Sequence, residues 1–276
     1  MVCKICKKEF RAITNTHLKT HSLSMSDYSL RYGVSCLSNN QGFKRDCVPW
    51  NKGSKGLQKA HNKNSCLVNH SYFKKFNNNM FYVLGLWFAD GMVHKYKDNC
   101  KMLSLSLNLN DIALVEQIRS EIELSKKIYI CMDKRYKNKG QAKIDIYSEE
   151  MYDDLVSFGC VENKSLIVKF PKIPNEFKKD FIRGYMDGDG SVFTDKFNRF
   201  YLSFTSGSRK FLAGVVKAIK NELGLVSNIY TKNYRSTCFL IRYNGKNAIK
   251  VCDWLYDGAT LFMDRKFDKY CSYKNN

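Results

Sequence analysis

Three things are scarce in this chain of 276 residues: long apolar stretches, paired cysteines and acid. A membrane helix needs roughly 20 consecutive apolar residues. Every apolar run here is shorter than that and broken by charge. The first residues, "MVCKICKKEF", put charge where a secretory leader would put its apolar segment. A soluble intracellular protein is therefore expected. The cysteines number 11, an odd and scattered set, which argues against a disulfide framework. Cys100, Cys131, Cys160, Cys238, Cys252 and Cys271 mostly fall in apolar or strand-like contexts and read as small core residues. Acid is outnumbered, with 26 Asp+Glu against 46 Lys+Arg and a net charge of +20. A field of that sign favours a polyanion, and nucleic acid is the default partner.

What is present is unevenly arranged. Residues 1–80 carry a net +11 and residues 81–276 a net +9, so the first stretch is the more densely basic. It is also poor in hydrophobic periodicity. The organisation expected is a small module at 1–34, a basic connecting segment at 35–78, and a duplicated domain whose halves span 79–170 and 171–276. The duplication is visible directly. "YVLGLWFADGMV" (82–93) aligns without gaps to "FIRGYMDGDGSV" (181–192), and in both halves strand-like alternation follows, then a helical period beginning near Asn110 or Ser208. Strand pairs with polar or Gly-containing turns come next, and a helix closes each unit. The order is α-β-β-α-β-β-α, twice, an α+β fold of two pseudo-symmetric αββαββα subdomains behind a small module.

The repeated segments contain an oddity. Each reads as a buried helix whose last positions hold an acid, Asp90 or Asp189, just before a glycine. Acid at a helix C-terminus is disfavoured by roughly 0.3–1 kcal/mol. Gly85 with Ala89, and Gly184 with Gly188, place small residues on one face of each helix. Two such helices are expected to pack against each other along the symmetry axis and bring Asp90 and Asp189 together. Paired carboxylates beside outward-pointing carbonyls are poor for stability and well suited to hard divalent cations, which take oxygen ligands.

Both segments resemble the LAGLIDADG motif, and the duplicated unit resembles single-chain LAGLIDADG homing endonucleases over roughly residues 79–270. "RGYMDGDGS" is a specific match; "LGLWFADG" is looser, with Phe88 where the motif often has an acid. "FTSGSRKFL" (204–212), "NKS" (163–165) and "WLYDGATLFMDRK" (254–266) are further family-like pieces. The resemblance implies two four-stranded antiparallel sheets forming a saddle over DNA, and a monomer with internal pseudo-twofold symmetry. It implies Mg²⁺-dependent hydrolysis of one phosphodiester per strand across the minor groove, leaving 3′ overhangs. Asp90 and Asp189 would hold the ions, with the carbonyls of Ala89 and Gly188 as co-ligands. A basic helper is expected at Lys246, where Ser148 stands in the first half; Lys164 and Lys266 are alternatives. DNA-facing positions would be Lys95, Lys97, Lys101, Arg135, Lys137 and Lys139 in the first half. Lys196, Arg199, Lys232, Arg235 and Arg242 are their counterparts in the second.

At the N-terminus, Cys3, Cys6, His17 and His21 read C-x2-C-x10-H-x3-H, a ligand set for one tetrahedral Zn²⁺. Phe10 and Ile13 supply a minimal core, and a unit this small needs a metal to fold. Ser24 and Asp27 begin a capped helix that Gly33 ends. Cys36, Cys47, Cys66 and His70 are candidates for a second zinc. "PWNKGSKG" (49–56) offers Trp50, Lys52 and Lys55 as an extended segment tracking DNA. Two other functions compete with the endonuclease: an RNA-binding intron maturase on the same fold, and a catalytically inactive zinc-finger regulator.

Overall fold

In a computed structural model of the chain, residues 2–10, 12–33, 67–96, 100–132, 140–234 and 236–275 are described. The expectations for Cys36, Cys47, Trp50, Lys52, Lys55, Cys66, Lys97, Arg135, Lys137, Lys139 and Arg235 lie outside the described residues. The chain divides into two compact units, Met1–Lys63 and Asn64–Asn276.

In the first unit, a single antiparallel bridge joins Val2 to Glu9 around the Cys3–Cys6 turn. Helix α1 (Asn15–Lys19) follows, capped by Thr14, and then α2 (Met25–Tyr32). The Ser24 side chain accepts from the Asp27 N–H, and Gly33 ends α2 in the left-handed region at φ 59°, as the sequence pattern predicts. Cys3, Ile13, Leu18 and Tyr28 are buried together, with Phe10 packed against them.

The second unit holds the repeat. Its elements are α3 (Asn78–Asp90), β1 (Gly91–Lys95), β2 (Lys101–Asn108), α4 (Ile112–Glu121), β3 (Tyr129–Met132), β4 (Gly140–Tyr147) and α5 (Glu149–Ser157). They recur as α6 (Lys178–Asp189), β5 (Gly190–Thr194), β6 (Phe200–Ser206), α7 (Arg209–Leu223), β7 (Tyr230–Tyr234), β8 (Ser236–Asn244) and α8 (Gly245–Tyr256). A last helix, α9 (Asp264–Lys274), has no counterpart in the sequence reading. Each half has a four-stranded antiparallel sheet, ordered β1-β2-β4-β3 and β5-β6-β8-β7.

Alternation along the strands gives each sheet two unlike faces. Val93, Leu103, Leu105, Ile144 and Ile146 are buried on one side of the first sheet; Val192, Leu202, Phe204 and Ile241 are buried in the second. These join helices from both halves in one continuous core. Helix α3 is buried on every side from Met80 to Phe88, which explains why it reads as apolar throughout. Residues 67–77 pack onto the first half: Ser125 donates its N–H to the Leu67 carbonyl, and Tyr72 and Phe73 are buried.

Candidate active site

The site is built by the contact between α3 and α6. A Cβ on Gly85 would lie 2.0 Å from the Phe181 carbonyl oxygen, and one on Gly184 would lie 2.0 Å from that of Tyr82. Any side chain at either position would force the backbones apart. The same closeness persists to the helix ends. A Cβ on Gly188 would fall 2.3 Å from the Ala89 Cβ and 2.9 Å from Asp90 Oδ2, so the missing side chain is the space that the Asp90 carboxyl borders. Asp90 and Asp189 both present surface to solvent, yet the surrounding protein strips enough water to matter. Burial, with the Asp189 charge adding to it, raises Asp90 to about 6. Burial also raises Asp189, opposed by a hydrogen bond from Tyr185 and by the charges of Lys164 and Lys266. A bound cation would relieve both penalties, and the donors are hard oxygens, so the residues fit a divalent ion.

Two buried lysines stand at these helix ends. Lys266 of α9 donates to the carbonyls of Met186 at 2.8 Å, Asp187 at 2.6 Å and Gly190 at 2.7 Å, with Gly188 at 3.4 Å. Lys164 donates to the carbonyl of Gly91, the residue equivalent to Gly190. Each cation thus satisfies carbonyls that a helix C-terminus leaves open and offsets the negative end of its dipole. Burial pushes Lys266 down to about 8 despite the nearby acids. Lys246 is the basic helper that the sequence points to. It is exposed in the first turn of α8, and no hydrogen bond or ion pair joins it to Asp90 or Asp189. The charges of Lys164 and Lys266, the alternatives named above, act on both acids. Lys266 arrives on α9, a helix the repeat does not predict. In the first half Ser148 caps α5, accepting from the Met151 N–H.

Arg265 is a residue that sequence reasoning passed over. Its Nε donates to Asp111 at 2.9 Å, tying the two halves together beside the acids, and its charge reaches Asp90. Asp90, Gly188, Arg265, Ser106, Asn108 and Gln141 line one cavity of about 980 Å³. Ser106, Asn108 and Gln141 lie on the open face of the first sheet by register, so this cavity connects Asp90 to that face. Its adjacency to Lys266 was the available clue.

On that open face of the second sheet lie Lys232 and Arg242, both exposed. Lys196 and Arg199 occupy the β5–β6 turn, where Arg199 pairs with Asp195 at 2.8 Å. In the first half the register corrects the expectation. Lys95 and Lys101 are paired on the parity of Val93 and Leu103, the helix-covered side. Lys101 is held there by Asp153 at 2.7 Å and Glu149 at 3.1 Å of α5.

In the first unit, the ligand atoms of Cys3, Cys6, His17 and His21 all lie within 4.8 Å of one another. Among the described residues this is the one group of three or more such side chains able to surround a metal ion. The His21 Nε2 is buried with no hydrogen-bond partner, an atom that a metal would satisfy. Burial resists ionisation of Cys3, but backbone N–H groups and His17 outweigh it and lower the thiol to about 6. The four residues fit zinc. His17 is on α1 and His21 sits in the turn beyond it, so the two do not share one helix. His70, grouped by the sequence with three cysteines, pairs through Nδ1 with the Ser148 hydroxyl at 2.8 Å.

Residues 176–253 match a family model described as a LAGLIDADG-like domain. The chain is 31% identical over 138 residues to a DNA-directed RNA polymerase subunit Rpo1C of Methanocaldococcus jannaschii, a match to 49% of this chain and 15% of that protein. It is 27% identical over 219 residues to a probable translation initiation factor IF-2 of the same organism, covering 69% of this chain and 17% of that one. The chain thus spans only about a sixth of the length of these curated relatives. Among solved structures, I-DmoI in complex with DNA and Ca is similar at 18% identity and a TM-score of 0.49, covering 75% of this chain and all (100%) of that one. The LAGLIDADG meganuclease I-AabMI bound to uncleaved DNA is similar at 12% identity and a TM-score of 0.49, covering 72% and 91%. Among the described residues, no helix is long and apolar enough to cross a membrane.

Proposed function

We propose that the chain is a site-specific double-strand DNA endonuclease, acting as a monomer and hydrolysing one phosphodiester on each strand to leave 3′ overhangs. The observation that carries this reading is the convergence of two repeated helices on paired acids, each beside a buried lysine. Asp90 and Asp189 would hold Mg²⁺, with carbonyls of Ala89 and Gly188 as further oxygen donors. When bound, divalent ions lower the pKa of a coordinated water, clamp the phosphate and stabilise the leaving 3′ oxygen.

The protein's own residues do the rest. The close backbone approach at Gly85 and at Gly184 fixes the separation of the helix ends, and so of the two acids. Lys266 and Lys164 hold the terminal carbonyls in place and add positive charge near the phosphates. Arg265 lines the same cavity with its remaining N–H groups available for a phosphate oxygen. Lys232 and Arg242, on the open sheet face, contact the duplex. The Cys3, Cys6, His17 and His21 cluster would hold one Zn²⁺ and stabilise a small module that adds DNA contacts.

The test is a selection for cut DNA from a randomised plasmid library with the full chain and Mg²⁺. Recovery of one cleaved site, cut on both strands with 3′ overhangs, is expected. Absence of Mg²⁺-dependent cutting across the library overturns the reading.

A further inference from the structure

The pairing registers allow the two open sheet faces to be compared position by position. Ser104 lies between Met92 and Asp145 across the first sheet. Ser203 lies between Ser191 and Arg242 across the second. Met92 and Ser191 each follow the glycine after the terminal acid. Asp145 and Arg242 are therefore the same position in the two halves, with opposite charge. Both point away from the core, since their neighbours Ile144 and Ile146, and Ile241 and Tyr243, are buried on the other side.

The two side chains are held in different ways. The rings of Phe193 and Tyr201 stack with centroids 5.1 Å apart. The Arg242 guanidinium carbon lies 5.7 Å from the first ring and 5.6 Å from the second. Rings orient a guanidinium through its face and leave its N–H donors unspent. Among the described residues, no ion pair or side-chain hydrogen bond engages the Arg242 guanidinium. Asp145 is only 17% exposed, with the Lys143 ammonium 3.1 Å from its Oδ1. That Oδ1 is closed to solvent, so Oδ2 is the acceptor left to it where Arg242 offers donors.

We propose that these two residues read opposite base types at equivalent places in the two halves of the target. Arg242 takes guanine through O6 and N7, and Asp145 takes the amino group of cytosine; both edges face the major groove. The target therefore departs from twofold symmetry at that pair, although the protein that reads it is pseudo-symmetric. This rests on the endonuclease reading above.

The test is enrichment of binding sites from random duplex DNA by the full chain in Ca²⁺, compared with Arg242→Gln, Asp145→Asn and Phe193→Leu. Arg242→Gln should move one pair from guanine to adenine, with discrimination there falling about ten- to a hundred-fold and other positions unchanged. Asp145→Asn should move cytosine toward adenine at a second pair, at the mirrored distance from the motif's centre. Phe193→Leu should blunt the preference at the Arg242 pair alone, because the guanidinium loses part of its platform. An unchanged motif with uniformly weaker binding would make Arg242 a phosphate contact and overturn this inference only. Failure of the wild-type chain to enrich any motif overturns the endonuclease reading as well.

Discussion

The two halves agree at the helix contact and differ almost everywhere around it. Both keep a glycine against the partner's backbone, a small residue before the last acid, and a buried lysine on the following carbonyl. The surroundings diverge. Phe88 of the first half corresponds to Asp187 of the second, which is fully buried and accepts from the Tyr82 hydroxyl and the Met263 N–H, both at 2.8 Å. Lys164 donates to one carbonyl, whereas Lys266 gathers several. The features at the helix contact are paired across the repeat, while the supporting contacts and the sheet faces differ. The second half invests more polar contact in holding its helix end.

The largest expected effect falls on the shared features. Asp90→Asn and Asp189→Asn should each abolish double-strand cleavage, by about 10³-fold or more, while duplex affinity stays within a few-fold. Plasmid cleavage beside a gel-shift titration checks both, and full cutting by either variant would remove the acids from the chemistry. Gly85→Ala and Gly184→Ala should destabilise about equally, by about 3 kcal/mol or more, because each new Cβ meets backbone rather than a side chain that could move. Urea unfolding reads this, and unequal losses would break the symmetry of the helix contact.

The unshared features should separate the halves. Lys266→Met should cost about 2–4 kcal/mol, since several carbonyls lose a donor, and Lys164→Met about 1–2 kcal/mol. Equal losses in denaturant would contradict the asymmetry. The smallest effect concerns pH. Burial raises Asp187 to about 6, above its unfolded value near 3.8. The ionised form is thus penalised only in the fold. That penalty is present in full above the folded value and is relieved as pH falls through 6 toward 4. The Asp90 carboxyl acts in the same direction but is discounted by its contact with solvent. The share of stability carried by Asp187, read as wild type minus Asp187→Asn, should rise by on the order of 1 kcal/mol from pH 7 to 4.5. Asp187→Asn should flatten that slope, and Phe88, its counterpart, has nothing to titrate.

The repeat was legible in the sequence because glycine, acid and strand alternation keep their spacing in both copies. The helix order, both sheets and the packing of α3 on α6 follow from that spacing. The basic partner of each acid was less legible. Lys246 has the expected distance along the chain and stands exposed at the start of α8. Lys266 reaches the site from α9, and hydropathy gives no sign that a lysine will be buried against carbonyls. Lys101 was misplaced for a simpler reason. Strand parity depends on register, and one residue decides which face a side chain takes. The Cys3, Cys6, His17 and His21 set was legible from spacing, although His21 follows a turn instead of continuing the helix.

The measurement that addresses the shared centre most directly is calorimetric titration of Mn²⁺ into the full chain at pH 7.5. Binding by the wild type, at least tenfold weaker in Asp90→Asn and in Asp189→Asn and lost in the double variant, is the predicted result. Wild-type affinity retained in the double variant would contradict a cation centre formed jointly by the two helix ends.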